Sequence, residues 1–140
     1  MRKITVNGTG SAIADSLFTG VDFTSPEFRS YCSKVPGDGG LEPGKLVLTE
    51  DFEAFAGKPA DQAISDIVGS RGPDRFNLGG PGPVALINTA QLTANRATDV
   101  KFYSTNGNDS AGSRLRRILE QTPVNLDHFR TVDSPAPITF

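Results

Sequence analysis

Asn77-Leu78-Gly79-Gly80-Pro81-Gly82-Pro83 runs straight into Val84-Ala85-Leu86-Ile87, and the fold turns on how this passage is read. Consecutive glycines let a backbone approach a neighbour or a ligand closely, and a helix start presents free N–H groups. Pro83 stands where a helix is expected to begin, since proline is tolerated at the first helical position. The run from Val84 to Asn95, with Ala85, Leu86, Ile87 and Ala90, predicts a largely buried helix. The glycines then serve either a sharp loop feeding a helix or one wall of a pocket.

Upstream, Lys3 to Asn7 carries β-branched Ile4 and Val6 and runs into Gly8-Thr9-Gly10, a first strand ending in a glycine turn. Small residues follow (Ser11, Ala12, Ala14) and lead to Asp15. Open α/β sheets place ligands at the carboxyl ends of their strands. A carboxylate there accepts hydrogen bonds from two neighbouring hydroxyls, and equally serves as a turn or cap residue. Residues 18–44, punctuated by Pro26, Pro36 and Pro43, contain no clear helix, and Gly37-Asp38-Gly39-Gly40 marks a turn. Lys45 to Thr49 reads as a short strand. Residues 50–70 carry helical spacing (Phe52, Phe55, Ala63, Ile64, Ile67, Val68), split in two by Gly57 and Pro59. Residues 69–83 form a second breaker-rich region.

Downstream, Asp99 to Ser104 is a strand with Val100, Phe102 and Tyr103. After the Asn106-Gly107-Asn108 turn, Asp109 or Ser110 caps a helix to about Gln121. Ala111, Leu115, Ile118 and Leu119 form its apolar stripe, and Arg114, Arg116 and Arg117 its solvated flank. Phe129 to Val132 is a further strand, and Ile138-Thr139-Phe140 reads as the beginning of another. This order predicts an α/β layered sheet with parallel pairings.

Composition narrows the function classes. The chain has 140 residues, 15 of them glycine and 10 proline. That is loop-rich but below the roughly 25–30% at which low-complexity disorder becomes the default. Fourteen basic residues against 16 acidic ones give a net charge of −2, without the basic excess of a nucleic-acid binder. A single Cys32 excludes an internal disulfide and a cysteine zinc site, and a single His128 argues against a histidine metal cluster. No apolar run reaches the ~18 residues of a membrane span, and the start lacks the apolar core of a signal peptide. A reducing, cytoplasmic location is expected, with no membrane partner.

Gly8-Thr9-Gly10 also invites a dinucleotide reading. Ile13 stands where the third small residue of that fingerprint belongs, and no strand with an acidic end follows about 20 residues later. A nucleotide-cofactor-binding α/β domain is therefore one alternative.

Three segments together resemble the ribokinase-like (PfkB) carbohydrate kinases. Gly10-Ser11-Ala12-Ile13-Ala14-Asp15 after the first strand looks like that family's first substrate motif. Asn77-Leu78-Gly79-Gly80-Pro81-Gly82 before an alanine-rich helix resembles its first signature. Gly107-Asn108-Asp109-Ser110-Ala111-Gly112 resembles its Gly-Asp-x-x-Gly segment, with one extra residue between glycine and aspartate. The resemblance spans residues 3 to about 121.

The resemblance implies a three-layer αβα, Rossmann-like sheet with a small β lid, formed by the loops of residues about 16–50 and used for homodimer contacts. It implies γ-phosphoryl transfer from ATP, with Mg2+, to a sugar or related polyol hydroxyl. Asp15, Gly79, Gly80 and Gly82 would bind that substrate. Val84 occupies the place of a family asparagine, which Asn88, one helical turn on, would have to fill. The second signature, with the catalytic aspartate, has no counterpart in these residues. The chain is thus expected to be the N-terminal, sugar-side portion of such a kinase, truncated and inactive alone, with catalysis and the ATP-binding half beyond Phe140. A non-catalytic sugar-binding or structural module is the remaining alternative.

Overall fold

A computed structural model describes residues 3–140, in two compact units: residues up to Leu17 together with Arg75–Phe140, and residues Phe18–Asp74.

In the first unit, strands β1 (Ile4–Thr9), β4 (Thr98–Asn106) and β5 (Phe129–Thr131) form a parallel sheet in the order β1-β4-β5. Strands β2 (Ile13–Leu17), β3 (Arg75–Gly79) and β6 (Ile138–Thr139) form a second sheet in the order β3-β2-β6. In it β2 runs antiparallel to β3 and parallel to β6. Helices α4 (Pro81–Leu92) and α5 (Ser110–Glu120) complete the unit. Their Leu86, Ala90, Leu115 and Leu119 enclose Val100 and Phe102 of β4, and Phe129 stacks on Phe102 at 5.3 Å between centroids. Alternation along the central strand explains the arrangement: Val100, Phe102 and Asn106 are buried, while Tyr103 and Thr105 are exposed.

The fold class is therefore mixed α/β with a parallel sheet, as expected. In this unit α4 packs on one face of β1 and β4, and α5 lies against β2. Across the other face Thr5, Asn7 and Thr9 of β1, Tyr103 and Thr105 of β4 and Arg130 of β5 stand exposed.

The second unit leaves the chain between Leu17 and Arg75, which are themselves a paired rung of β2 and β3. It holds α1 (Pro26–Ser30), α2 (Thr49–Ala56) and α3 (Ala60–Val68) around Tyr31, Phe52, Ala60 and Ala63. Ser25 caps α1, accepting a hydrogen bond from the Phe28 N–H, and Pro26 is its first residue. Gly57 ends α2 in the left-handed region at φ 67°. Asp38 gathers the N–H groups of Lys34, Val35 and Gly40 at 2.7, 3.1 and 3.0 Å and fixes the glycine turn. The ends of the unit are tied together by Asp74, which accepts from the Thr19 N–H at 2.6 Å and from Arg71 at 2.9 Å.

Several local expectations change. Lys45–Thr49 is not a strand: Leu46 and Leu48 are 94% and 69% exposed, and without a neighbouring ladder or an apolar wall their β-like pattern has nothing to pair with. A one-turn helix, α1, occupies part of the segment read as helix-free. The breaker-rich stretch contains β3, whose Arg75-Phe76-Asn77-Leu78 alternation is hidden among glycine and proline. The glycine-led helix begins at Pro81 and ends at Leu92, and it is half-buried: Leu92 is 85% exposed. Two of the arginines placed on a solvated flank are engaged. Arg114 lies over the Phe76 ring at 3.8 Å, and Arg116 donates to the Phe129 carbonyl. No helix among the described residues is long and apolar enough to cross a membrane.

Candidate functional site

Asp15 lies in the middle of β2, paired with Asn77 of β3 on one side and Thr139 of β6 on the other. Side chains directly opposite in a sheet share a face. Asn77, Asp15 and Thr139 thus form one polar rung across three strands. The Thr139 hydroxyl donates to Asp15 Oδ1 at 2.6 Å. The carboxylate then extends across Gly79, where a Cβ would overlap it. Gly79 is needed because the Asp15 carboxylate occupies the space a side chain would fill.

The neighbouring glycines are explained by backbone packing. Gly80, at φ 96°, lies against the Ser11 carbonyl, and Gly82 lies against the Thr9 carbonyl and the Gly10 Cα. Both positions leave no room for a Cβ. Ser104, near the end of β4, donates to the Gly10 carbonyl at 2.6 Å. The segment after β1, the glycine turn before α4 and the end of β4 therefore meet at the carboxyl side of the parallel strands. That is where the sheet rule puts ligands.

Asp109 behaves as the cap expected of it. Its carboxylate accepts from the Gly112 N–H at 2.8 Å and from the Ala136 N–H at 3.1 Å, joining the α5 start to the segment before β6. Gly107 and Gly112 are both closely packed, Gly107 against the Ala136 backbone and Gly112 against the Gly107 carbonyl.

Asn88 does not join the group. It is exposed on α4, eight residues after Gly80 and so about 12 Å along the axis at 1.5 Å per residue. The dinucleotide alternative loses its geometry as well. Gly8 and Thr9 lie within β1, and the segment after Gly10 becomes strand β2, so no helix N-terminus follows those glycines. Sequence reasoning missed Asn77 as a partner of Asp15, although Asn77 opens the glycine motif, two residues before Gly79. It also missed Thr139, which lies 124 residues from Asp15 and has no local signal. Among the described residues, no three His, Cys, Asp or Glu side chains gather as a metal-binding group.

No family model and no curated protein matches the chain. Among solved structures it is similar to ribokinase from Cryptococcus neoformans var. grubii serotype A, a complex with ADP. The TM-score is 0.42 at 14% identity, over 98% of this chain. The chain spans 29% of that ribokinase. The functional reading therefore rests on the motifs and their geometry.

Proposed function

We propose that this chain is the sugar-binding portion of an ATP-dependent carbohydrate kinase, the acceptor side of a γ-phosphoryl transfer. The observation that carries the reading is the meeting of the two substrate motifs, with Asp15 laid across Gly79 and Ser11 packed on Gly80. A carboxylate on an open strand face, held from one side by a hydroxyl, suits the hydroxyl pattern of a sugar. Ile13 and Leu17 flank Asp15 on the same face of β2 and offer apolar contact to sugar C–H groups.

Phosphoryl transfer needs a nucleotide clamp, its metal and a group orienting the acceptor hydroxyl. No three His, Cys, Asp or Glu side chains gather among the described residues, and no step is derived through a metal. In this reading ATP, Mg2+ and the catalytic base belong to the rest of the complete protein, and the chain alone transfers nothing.

Calorimetric titration of the purified chain with ribose, fructose, glucose and adenosine tests this. At least one should bind, and Asp15→Ala should weaken it about 10- to 100-fold. That corresponds to the ~1–3 kcal/mol left when a buried hydrogen-bonding partner loses its mate. Incubation with ATP, Mg2+ and the same sugars should yield no sugar phosphate. Failure of all four to bind, or unchanged affinity in Asp15→Ala, would overturn the assignment. Sugar phosphate formation by the chain alone would overturn the division of labour.

A further inference from the structure

We infer that the cross-strand rung Asn77–Asp15–Thr139 reads a single sugar hydroxyl as donor and acceptor at once, with Asn77 contacting it and Thr139 acting as a positioning residue through Asp15. The inference rests on the sugar-binding reading above and adds two residues to it, together with the chemistry they select.

Asp15 faces Asn77 directly across β2 and β3, and opposite Cβ atoms in such a pair stand roughly 4.5–5.5 Å apart. A hydroxyl oxygen between a carboxylate and an amide needs about 2.8 Å to the first and about 2.9 Å to the second. A hydroxyl placed between the two side chains on this shared face would bridge them. It would donate its proton to Asp15 Oδ2 and accept from the Asn77 amide, a combination that an alcohol offers and that neither an ammonium group nor a bare carboxylate can match.

Asn77 is available for this. Its side chain is exposed and makes no hydrogen bond among the described residues. Asp15 Oδ1, by contrast, is engaged by Thr139, which fixes the carboxylate's rotation and directs Oδ2 over Gly79. The absence of a side chain at Gly79 keeps the floor beneath that oxygen clear. The partner this chemistry selects is a neutral polyol carrying a free hydroxyl. A deoxy sugar lacking that hydroxyl would leave both Asp15 and Asn77 unmatched.

Titrations of the wild-type chain, Asn77→Ala, Thr139→Val and Thr139→Ser with ribose, fructose, glucose and adenosine, and with 2-deoxyribose, 2-deoxyglucose and 3-deoxyglucose, test the rung. For whichever sugar binds the wild type, Asn77→Ala should weaken binding about tenfold. The discrimination against the deoxy analogue that binds most poorly should shrink in that variant. Thr139→Val should weaken binding severalfold and Thr139→Ser should restore it, a rescue that simple loss of packing would not show. Circular dichroism confirms that each variant is folded. If a sugar binds and depends on Asp15 while Asn77→Ala and Thr139→Val leave affinity unchanged, the rung is overturned and the sugar-binding reading survives. If no sugar binds the wild type, both are overturned.

Discussion

Residues 3–17 and 75–140 shield Phe102, Leu115 and Leu119 completely, and Phe129 stacks on Phe102 within the same core. Residues 18–74 shield only Ala63 to that degree, with Tyr31, Phe52 and Ala60 close behind. What they have in place of apolar bulk is carboxylates. Asp22 holds the Thr24 N–H and hydroxyl, Asp38 the glycine turn, Asp74 the ends of the unit, and Asp66 accepts from both Tyr31 and Lys58. Each of these four carboxyls is held below its ordinary range, in every case chiefly by a hydrogen bond it accepts. In the other unit Asp99, beside Lys3, shows the same direction. Burial scales with area and survives changes of pH and salt, whereas exposed charge contacts contribute little and are screened. The candidate site belongs to the unit built on burial, which suits a strand face that must hold a carboxylate in place.

The largest effects come from the two phenylalanines at the centres of these units. Phe102→Ala removes a fully shielded ring from a filled core and should cost ~3–5 kcal/mol in urea denaturation. Phe52→Ala should fall at or below the low end of that range, because its cluster is smaller and is flanked by partly buried residues that can collapse into the space. Hydrogen exchange separates the two: Phe52→Ala should deprotect α2 and α3 while β4 and α5 keep their protection. Equal deprotection of both units by Phe52→Ala would break the comparison.

A smaller effect is expected at the α5 cap. Asp109→Ala frees the Gly112 and Ala136 N–H groups and should cost about 1 kcal/mol, as helix caps do. Its signature is loss of exchange protection in the first turn of α5 and beside β6, with α1 to α3 unaffected. Asp109→Asn should recover only part of it, since its single amide oxygen can keep one of the two N–H groups while its NH2 faces the other.

How much of this was legible follows from where each signal lies in the chain. The alternation of Val100 and Phe102, the Asp109 cap and the break at Gly57-Lys58-Pro59 are local, and the structure matches them. Strand β2 was hidden because its inward residues, Ala14 and Ser16, are too small to show hydrophobic alternation. Lys45–Thr49 shows the converse: a strand-like pattern forms no strand where nothing pairs with it. For the site, Asp15 and the glycines could be named from their motifs. The reason for Gly79 could not, because it depends on a carboxylate more than 60 residues earlier. Thr139 is more remote still, since it meets Asp15 only through parallel pairing of β2 and β6. Cross-strand register is a tertiary quantity, and the flanking residues of a five-residue strand do not encode it.

The smallest expected effect, and the most selective, is the response to acid. Asp38 is held far below the usual carboxylate range, first by the Lys34 N–H and then by the Gly40 N–H, and Asp66 and Asp74 shift the same way. A carboxyl with a lowered folded value binds its proton more readily in the unfolded chain, whose aspartates titrate near ~3.9. Its stabilisation is therefore complete above that value and is lost as pH falls through the lower folded value. Between pH 7 and about 4.5 the two units should respond alike. Below about pH 4, amide resonances of α1 to α3 should broaden or shift before those of α4 and α5, with only a modest change because these groups are exposed. Asp38→Asn should remove the lowest-pH part of that response around Lys34 to Gly40 and leave β4 untouched. A first acid response in α4 and α5, or none in residues 18–74 down to pH 2, would reverse the contrast between a unit held by burial and one held by carboxylates.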